Sequence, residues 1–200
     1  MMLAFQASSI DGEAYQDVVE VAHHSPGWLD QVVSTWATYG LAVFAVLMVV
    51  GWWRARRVGA AAALTALAVP AAVLVAFAVD AGLKLVVRED RPCQSLRVST
   101  LEVCPGPGDW SFPSNHAAIA AAAAVALFFV SRRLGVMAAV AACAMAASRV
   151  WVGVHYPHDV VVGVLVGAAV AFASMSVLRR GPKDLAGRLS ATWLRPVLVS

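Results

Sequence analysis

VGAAAALTALAVPAAVLVAFAVDAGLKLVV, residues 58–87, carries two charges, Asp80 and Lys84, and both fall near its end. A helix needs about 20 apolar residues to cross the hydrocarbon core of a bilayer, so this stretch reads as a membrane span. Four more apolar segments surround it: about Trp36 to Trp53, His116 to Val130, Leu134 to about Val154, and Val160 to Leu178. The third and fourth segments in chain order, His116–Val130 and Leu134–Val154, are short unless their polar flanks continue the helix. Otherwise they are helices buried within a bundle. The composition agrees. Hydrophobic residues make up 60% and charged residues 14%, against about 25% charged in an ordinary soluble domain. The expected fold is all-α: an integral membrane bundle of about five transmembrane helices, forming one domain over residues 1–200 with no internal repeat. Alanine-rich stretches (Ala60–Ala63, Ala120–Ala124, Ala138–Ala147) let such helices approach closely.

Residues 1–34 form a polar arm. Tyr15, Val18, Val19 and Ala22 recur in it at helical spacing, which suits either an interfacial amphipathic helix or a loosely packed arm. Asp11, Glu13, Asp17 and Glu20 interrupt any apolar run, and no signal peptide is expected. Residues 181–200 are a basic tail.

Lys and Arg mark cytoplasmic loops. Arg54, Arg56 and Arg57 follow the first segment, Arg132 and Arg133 the third, and Arg179, Arg180 and Lys183 the fifth. With five spans these groups share one side, the cytoplasmic one. The N-terminus and the 88–115 loop then face outward, and the protein is expected to be a multi-pass membrane protein. The net charge of +3 gives no indication of a nucleic-acid partner. Of the cysteines, Cys143 sits in an apolar run and reads as a buried, inert thiol. Cys93 and Cys104 flank a polar loop, where they either form a disulfide or stay two unrelated thiols. No spacing suits zinc or haem.

Five cations break the charge trend on the outer side: Lys84, Arg88, Arg91, Arg97 and Arg149. Three stretches hold most of the outer-side polar groups: Lys84 to Pro92, Phe112 to His116, and Ser148 to Asp159, which contain all of these cations but Arg97, together with His116, His155 and Asp159. Ionisable groups at a span's edge are costly and usually functional. Convergent Arg and Lys suit a phosphate. Ser114 is a good N-cap for the alanine-rich helix after it, whose free N–H groups can face the same anion. His155 is the candidate nucleophile, Asp159 the acceptor that holds its second ring nitrogen, and His116 the general acid. Pro157 fits the first turn of the last helix. His158 reads as structural or headgroup-facing, and His23 and His24 carry little information.

The three stretches resemble the signature of the type 2 phosphatidic acid phosphatase superfamily. Lys84-x6-Arg91-Pro92, Pro113-Ser114-Asn115-His116 and Ser148-Arg149-x5-His155-x3-Asp159 occur in order and with the family's spacing. Asn115, where the family often has Gly, and the His-Tyr-Pro-x-Asp ending are similar to the bacitracin-resistance-type undecaprenyl pyrophosphate phosphatases. The resemblance implies a metal-independent enzyme with no cofactor. It implies that Lys84, Arg91, Ser114, Asn115 and Arg149 bind the phosphate, that His155 becomes phosphohistidine, that His116 protonates the leaving group and that Asp159 orients His155. The implied partner is a membrane lipid phosphate, first of all a polyprenyl pyrophosphate. Phosphatidic acid, phosphatidylglycerol phosphate or another polyprenyl phosphate are the alternatives. A lipid-binding or transport protein is the alternative of another class.

Overall fold

The computed structural model describes residues 11–96, 98–179, 191–192 and 195–199. The helices are α1 (Gly12–His23), α2 (Gly27–Tyr39), α3 (Leu41–Arg56), α4 (Ala60–Val87), α5 (Pro92–Ser95), α6 (Asn115–Phe128), α7 (Arg132–Trp151), α8 (Pro157–Leu178) and α9 (Arg195–Leu198). Most of the basic tail lies outside the described residues.

The span count differs from the expected five. Three helices, α4, α7 and α8, are long and apolar enough to cross a membrane. Helices α2 and α3, bent by 54° where they meet, make a fourth if taken together. At 14 residues and 1.5 Å per residue, α6 is about 21 Å long, short of a core about 30 Å thick. It is instead the buried centre of the bundle, packed against α8, α7 and α4. Alanines cover it on all sides, with Ala117, Ala118, Ala120 and Ala122 among those out of contact with solvent.

The outer surface of the bundle is apolar. Leu74, Val86, Val140, Leu165 and Phe172 are among the large side chains left exposed along α4, α7 and α8. Only a bilayer covers such a belt without penalty, and the chain is an integral membrane protein. Cys143 points outward from α7 into this surface, so its expected burial within the protein is corrected. Its helical face belongs to the apolar belt, which a hydropathy pattern cannot tell from a core.

The ends of the bundle differ. At one end Arg54 and Arg179 line a common cavity of about 470 Å³ with Phe129, Ser131 and Leu134. Nearby the Arg56 guanidinium sits 4.9 Å over the Trp52 ring, an aromatic–cation pairing suited to a membrane interface. At the other end α6 begins, α7 ends and α8 begins. The described part of the polar arm, from residue 11 onward, docks there, and residues 1–10 lie outside the described residues. Tyr15, Val19 and Ala22 of α1 are buried, Tyr15 and Val19 pack with Val150, Tyr156 and Val160, and the Tyr15 hydroxyl donates to the Gly153 carbonyl at 2.9 Å.

Candidate active site

Three chain reversals converge at this end. Helix α4 stops at Arg88, whose left-handed conformation (φ 53°, ψ 49°) turns the chain sharply, a common way to end a helix. The turn carries Arg91 back over the bundle. Helix α6 starts at Ser114, whose N–H donates to the Asp159 carbonyl at 3.0 Å, tying the second motif to the third. Helix α8 starts at Pro157, as its fixed φ predicts.

His155 lies in the turn between α7 and α8 and is 2% exposed. Its Nδ1 is 3.3 Å from Asp159 Oδ2, and its Nε2 is 3.3 Å from an Nη of Arg91. An ionised carboxylate only accepts and a guanidinium only donates. Nδ1 therefore carries the proton, and Nε2 presents a lone pair. Burial, with the guanidinia of Arg91 and Arg149 adding to it, outweighs Asp159 and pushes the imidazole down to about 3 from an ordinary 6.5. Asp159 is held in turn. The Tyr156 N–H donates to its Oδ2 at 2.8 Å, and the Ser111 hydroxyl donates to the same oxygen. Ser111 Oγ also lies 3.4 Å from His155 Nδ1.

The three cations expected to bind phosphate are all turned into this region. The Arg91 side chain donates to the Asp109 carbonyl at 3.0 Å, to Asp109 Oδ1 at 3.0 Å and to the Val154 carbonyl at 2.9 Å. Lys84 Nζ donates to the carbonyls of Trp110 (2.7 Å) and Ser111 (3.2 Å). Arg149 makes two parallel bonds to Glu102 Oε1 and Oε2, each 3.2 Å. Among the buried side-chain atoms with no hydrogen-bond partner among the described residues, four belong to residues expected in the site: Arg149 Nε, Ser114 Oγ, Asn115 Oδ1 and Asp159 Oδ1. Ser114 stands at the N-cap of α6 but makes no side-chain capping bond, so capping is not the use of its hydroxyl. His116 is half-buried in the first turn of α6, within electrostatic reach of Arg149, Arg91 and Lys84. It makes no hydrogen bond to them or to His155 among the described residues. Cys93 and Cys104 are joined and close the loop that carries Glu102.

Several contributors were not singled out in the sequence. Ser111 stands one residue outside the second motif. Glu102 and Asp109 are acids in the same outer loop as the anomalous cations, a charge complement that was available to read. Of the two readings of His158, structural or headgroup-facing, the structure supports the first. Its Nδ1 is 2.8 Å from Asp11, its Nε2 is 3.0 Å from Glu89, and its ring stacks on Tyr156 at 5.4 Å. Both ring nitrogens face carboxylates, so the imidazole is the cationic link between α1, the 88–91 turn and α8.

The model of the PAP2 superfamily matches residues 60–182, a range that contains all three motifs. The chain belongs to the PAP2 superfamily. It is a metal-independent phosphatase of the PAP2 type. It is 27% identical over 164 residues, 80% of each chain, to "Undecaprenyl-diphosphatase BcrC" of Bacillus subtilis (strain 168). It is 39% identical over 79 residues to an "Undecaprenyl-diphosphatase" of Sulfolobus acidocaldarius, spanning only 38% of that protein's length. It is 39% identical over 101 residues to "Decaprenylphosphoryl-5-phosphoribose phosphatase" of Mycobacterium tuberculosis, again spanning about half, 54%, of the relative. The PAP2 architecture also matches the crystal structure of Aquifex aeolicus LpxE, with a TM-score of 0.68 at 22% identity over 88% of this chain and 99% of that one.

Proposed function

We propose that the chain hydrolyses a polyprenyl diphosphate, undecaprenyl diphosphate by preference, to the monophosphate on the extracytoplasmic face of a bacterial plasma membrane. The observation that carries the reading is the orientation of His155: one ring nitrogen bound to buried Asp159, the other unprotonated and beside Arg91. In the first step His155 Nε2 attacks the terminal phosphorus and the bond to the lipid monophosphate oxygen breaks. His116 protonates that oxygen. In the second step water attacks the phosphohistidine and gives its proton to His116. Inorganic phosphate leaves and the imidazole is restored. Lys84, Arg91 and Arg149 stabilise the charge on the transferring group, together with Ser114, Asn115 and the first N–H groups of α6. Asp159, held by Ser111, keeps the proton on Nδ1.

The substrate preference is supported by the names of the two undecaprenyl-diphosphatase relatives. A second reading, hydrolysis of another polyprenyl phosphate ester, draws on the 39% identity to the decaprenylphosphoryl-5-phosphoribose phosphatase. Purified protein in detergent is offered undecaprenyl diphosphate, a polyprenyl monophosphate ester and phosphatidic acid, with His155→Ala as control and a chelator in every assay. The reading expects the fastest phosphate release from the diphosphate and none from the variant. Faster release from either other lipid refutes the substrate assignment, and unchanged release by the variant refutes the mechanism.

A further inference from the structure

One segment, residues 102–111, supplies an acceptor to every cation of the site: Glu102 to Arg149, Asp109 to Arg91, and the carbonyls of Trp110 and Ser111 to Lys84. The Glu102 contact has the geometry of an anion bound in a site. Its two oxygens meet two nitrogens of the guanidinium side by side, the forked arrangement that two oxygens of a phosphate also adopt. Exposure shows which partner can leave. The side chain of Arg149 is 7% exposed and that of Glu102 is 24% exposed. The guanidinium is fixed in the bundle, while the carboxylate sits on the solvent side.

The backbone that carries Glu102 is itself anchored. Its N–H is 3.4 Å from the Val152 carbonyl, its carbonyl accepts from Thr100 at 2.6 Å, and the disulfide begins two residues later at Cys104. The carboxylate therefore stays tethered beside Arg149, at high effective concentration, even after an anion has displaced it. Meanwhile Arg149 Nε and Ser114 Oγ are buried with no partner among the described residues, so the resting contact leaves donors of the site unused.

We propose that Glu102 is a specificity-determining residue: a built-in competitor for the phosphate at Arg149 that selects diphosphate over monophosphate and expels inorganic phosphate after turnover. The proposal rests on the reading of the site as a lipid phosphatase. An anion that takes the two Nη groups of Arg149 must displace Glu102. A diphosphate brings a second anionic group, and so more attraction to Lys84, Arg91 and Arg149, to set against that cost than a monoester does. Inorganic phosphate, which has lost its link to the lipid, is the anion that Glu102 displaces most readily.

The test compares wild type, Glu102→Gln, which keeps the shape and removes the charge, and Glu102→Asp, which keeps the charge. Inhibition by inorganic phosphate is measured with a short-chain polyprenyl diphosphate as substrate. Kcat/KM is measured for that diphosphate and for the matching monophosphate. The Gln variant should be inhibited at roughly fivefold lower phosphate concentration, and its preference for the diphosphate should shrink. The Asp variant should stay near wild type. If phosphate inhibits Glu102→Gln equally or less while kcat falls, Glu102 merely holds Arg149 in place and the proposal is overturned. Calorimetric binding of inorganic phosphate to His155→Ala, with and without Glu102→Gln, separates the two readings. Tighter binding in the double variant supports the competitor role whatever the lipid substrate, and equal or weaker binding overturns it even in an active enzyme.

Discussion

The chemistry proposed for His155 follows from which atoms surround it. A carboxylate at Nδ1 and a guanidinium at Nε2 leave one arrangement of protons, neutral and protonated on Nδ1. Asp159 is the residue that fixes it, so Asp159→Asn, which can donate where the carboxylate accepts, should lower kcat on the order of 1000-fold with little change in protein yield. Steady-state phosphate release checks this, and a loss below tenfold would contradict the role. Burial gives a second consequence. The folded imidazole titrates at about 3 against 6.5 ordinarily, so below pH about 6.5 the unfolded chain binds a proton that the native state does not. Stability is therefore lost progressively as pH falls from about 6.5 toward 3. The thermal midpoint of wild type in detergent should drop more steeply between pH 7 and 5 than that of His155→Asn, and parallel curves would argue against the shift. At this scale the sequence was largely legible. His155, Asp159, Arg91, Arg149 and Lys84 announce themselves as polar groups at the edges of apolar runs. Ser111, Glu102 and Asp109 do not, because they lie in a polar loop where serines and acids need no explanation.

The contact that fixes the relation between the second and third motifs is made by helices α6 and α8. Gly163 and Gly167 lie one turn apart on α8 and face the start of α6. A Cβ at position 163 would come 2.6 Å from the Ser114 carbonyl oxygen, and one at 167 would come 2.1 Å from that of Ala118. Both are backbone atoms that cannot swing aside, so glycine is what lets α8 lie against α6. Gly167→Ala should push the helices apart, cost roughly 1–3 kcal/mol and reduce activity by moving Ser114 from Asp159. Unfolding temperature and phosphate release should both fall, whereas an unchanged pair of values would show that the interface has slack. The alanine-rich stretches pointed to close packing of this kind, and the Gly-x3-Gly spacing was present to be read with them. For α6 the sequence left a short span and a helix buried in the bundle both open, since hydropathy scores alanine alike in lipid and in protein. Its 14 residues were the available sign. Nor could the pattern of Tyr15, Val19 and Ala22 show whether the arm faced headgroups or protein, because an apolar stripe suits both.

Across the molecule, Arg54 and Arg179 lie at the opposite end from the candidate site and its own cations, Lys84, Arg91 and Arg149. Arg54 and Arg179 meet around one cavity, at the far end of α7 and α8 from Arg149 and His155. The proposed orientation, with this basic end in the cytoplasm, rests on the bias of Lys and Arg toward that side. The same polarity follows with fewer than five independent spans, because α6, although short, still carries the chain from the site end toward the basic end. On that orientation the loop closed by Cys93 and Cys104 faces an oxidising compartment, where such a bond persists. The third cysteine, Cys143, lies among the bilayer-facing residues of α7, beyond the reach of a charged reagent. An impermeant thiol reagent applied to intact cells should therefore leave wild type unlabelled, label it after mild reduction, and fail to label Cys93→Ser/Cys104→Ser even then. A cysteine placed at Arg132 should react only once the membrane is opened. Labelling at position 132 in intact cells, or of Cys93 and Cys104 only in opened ones, would invert the molecule and move the proposed hydrolysis to the cytoplasmic face.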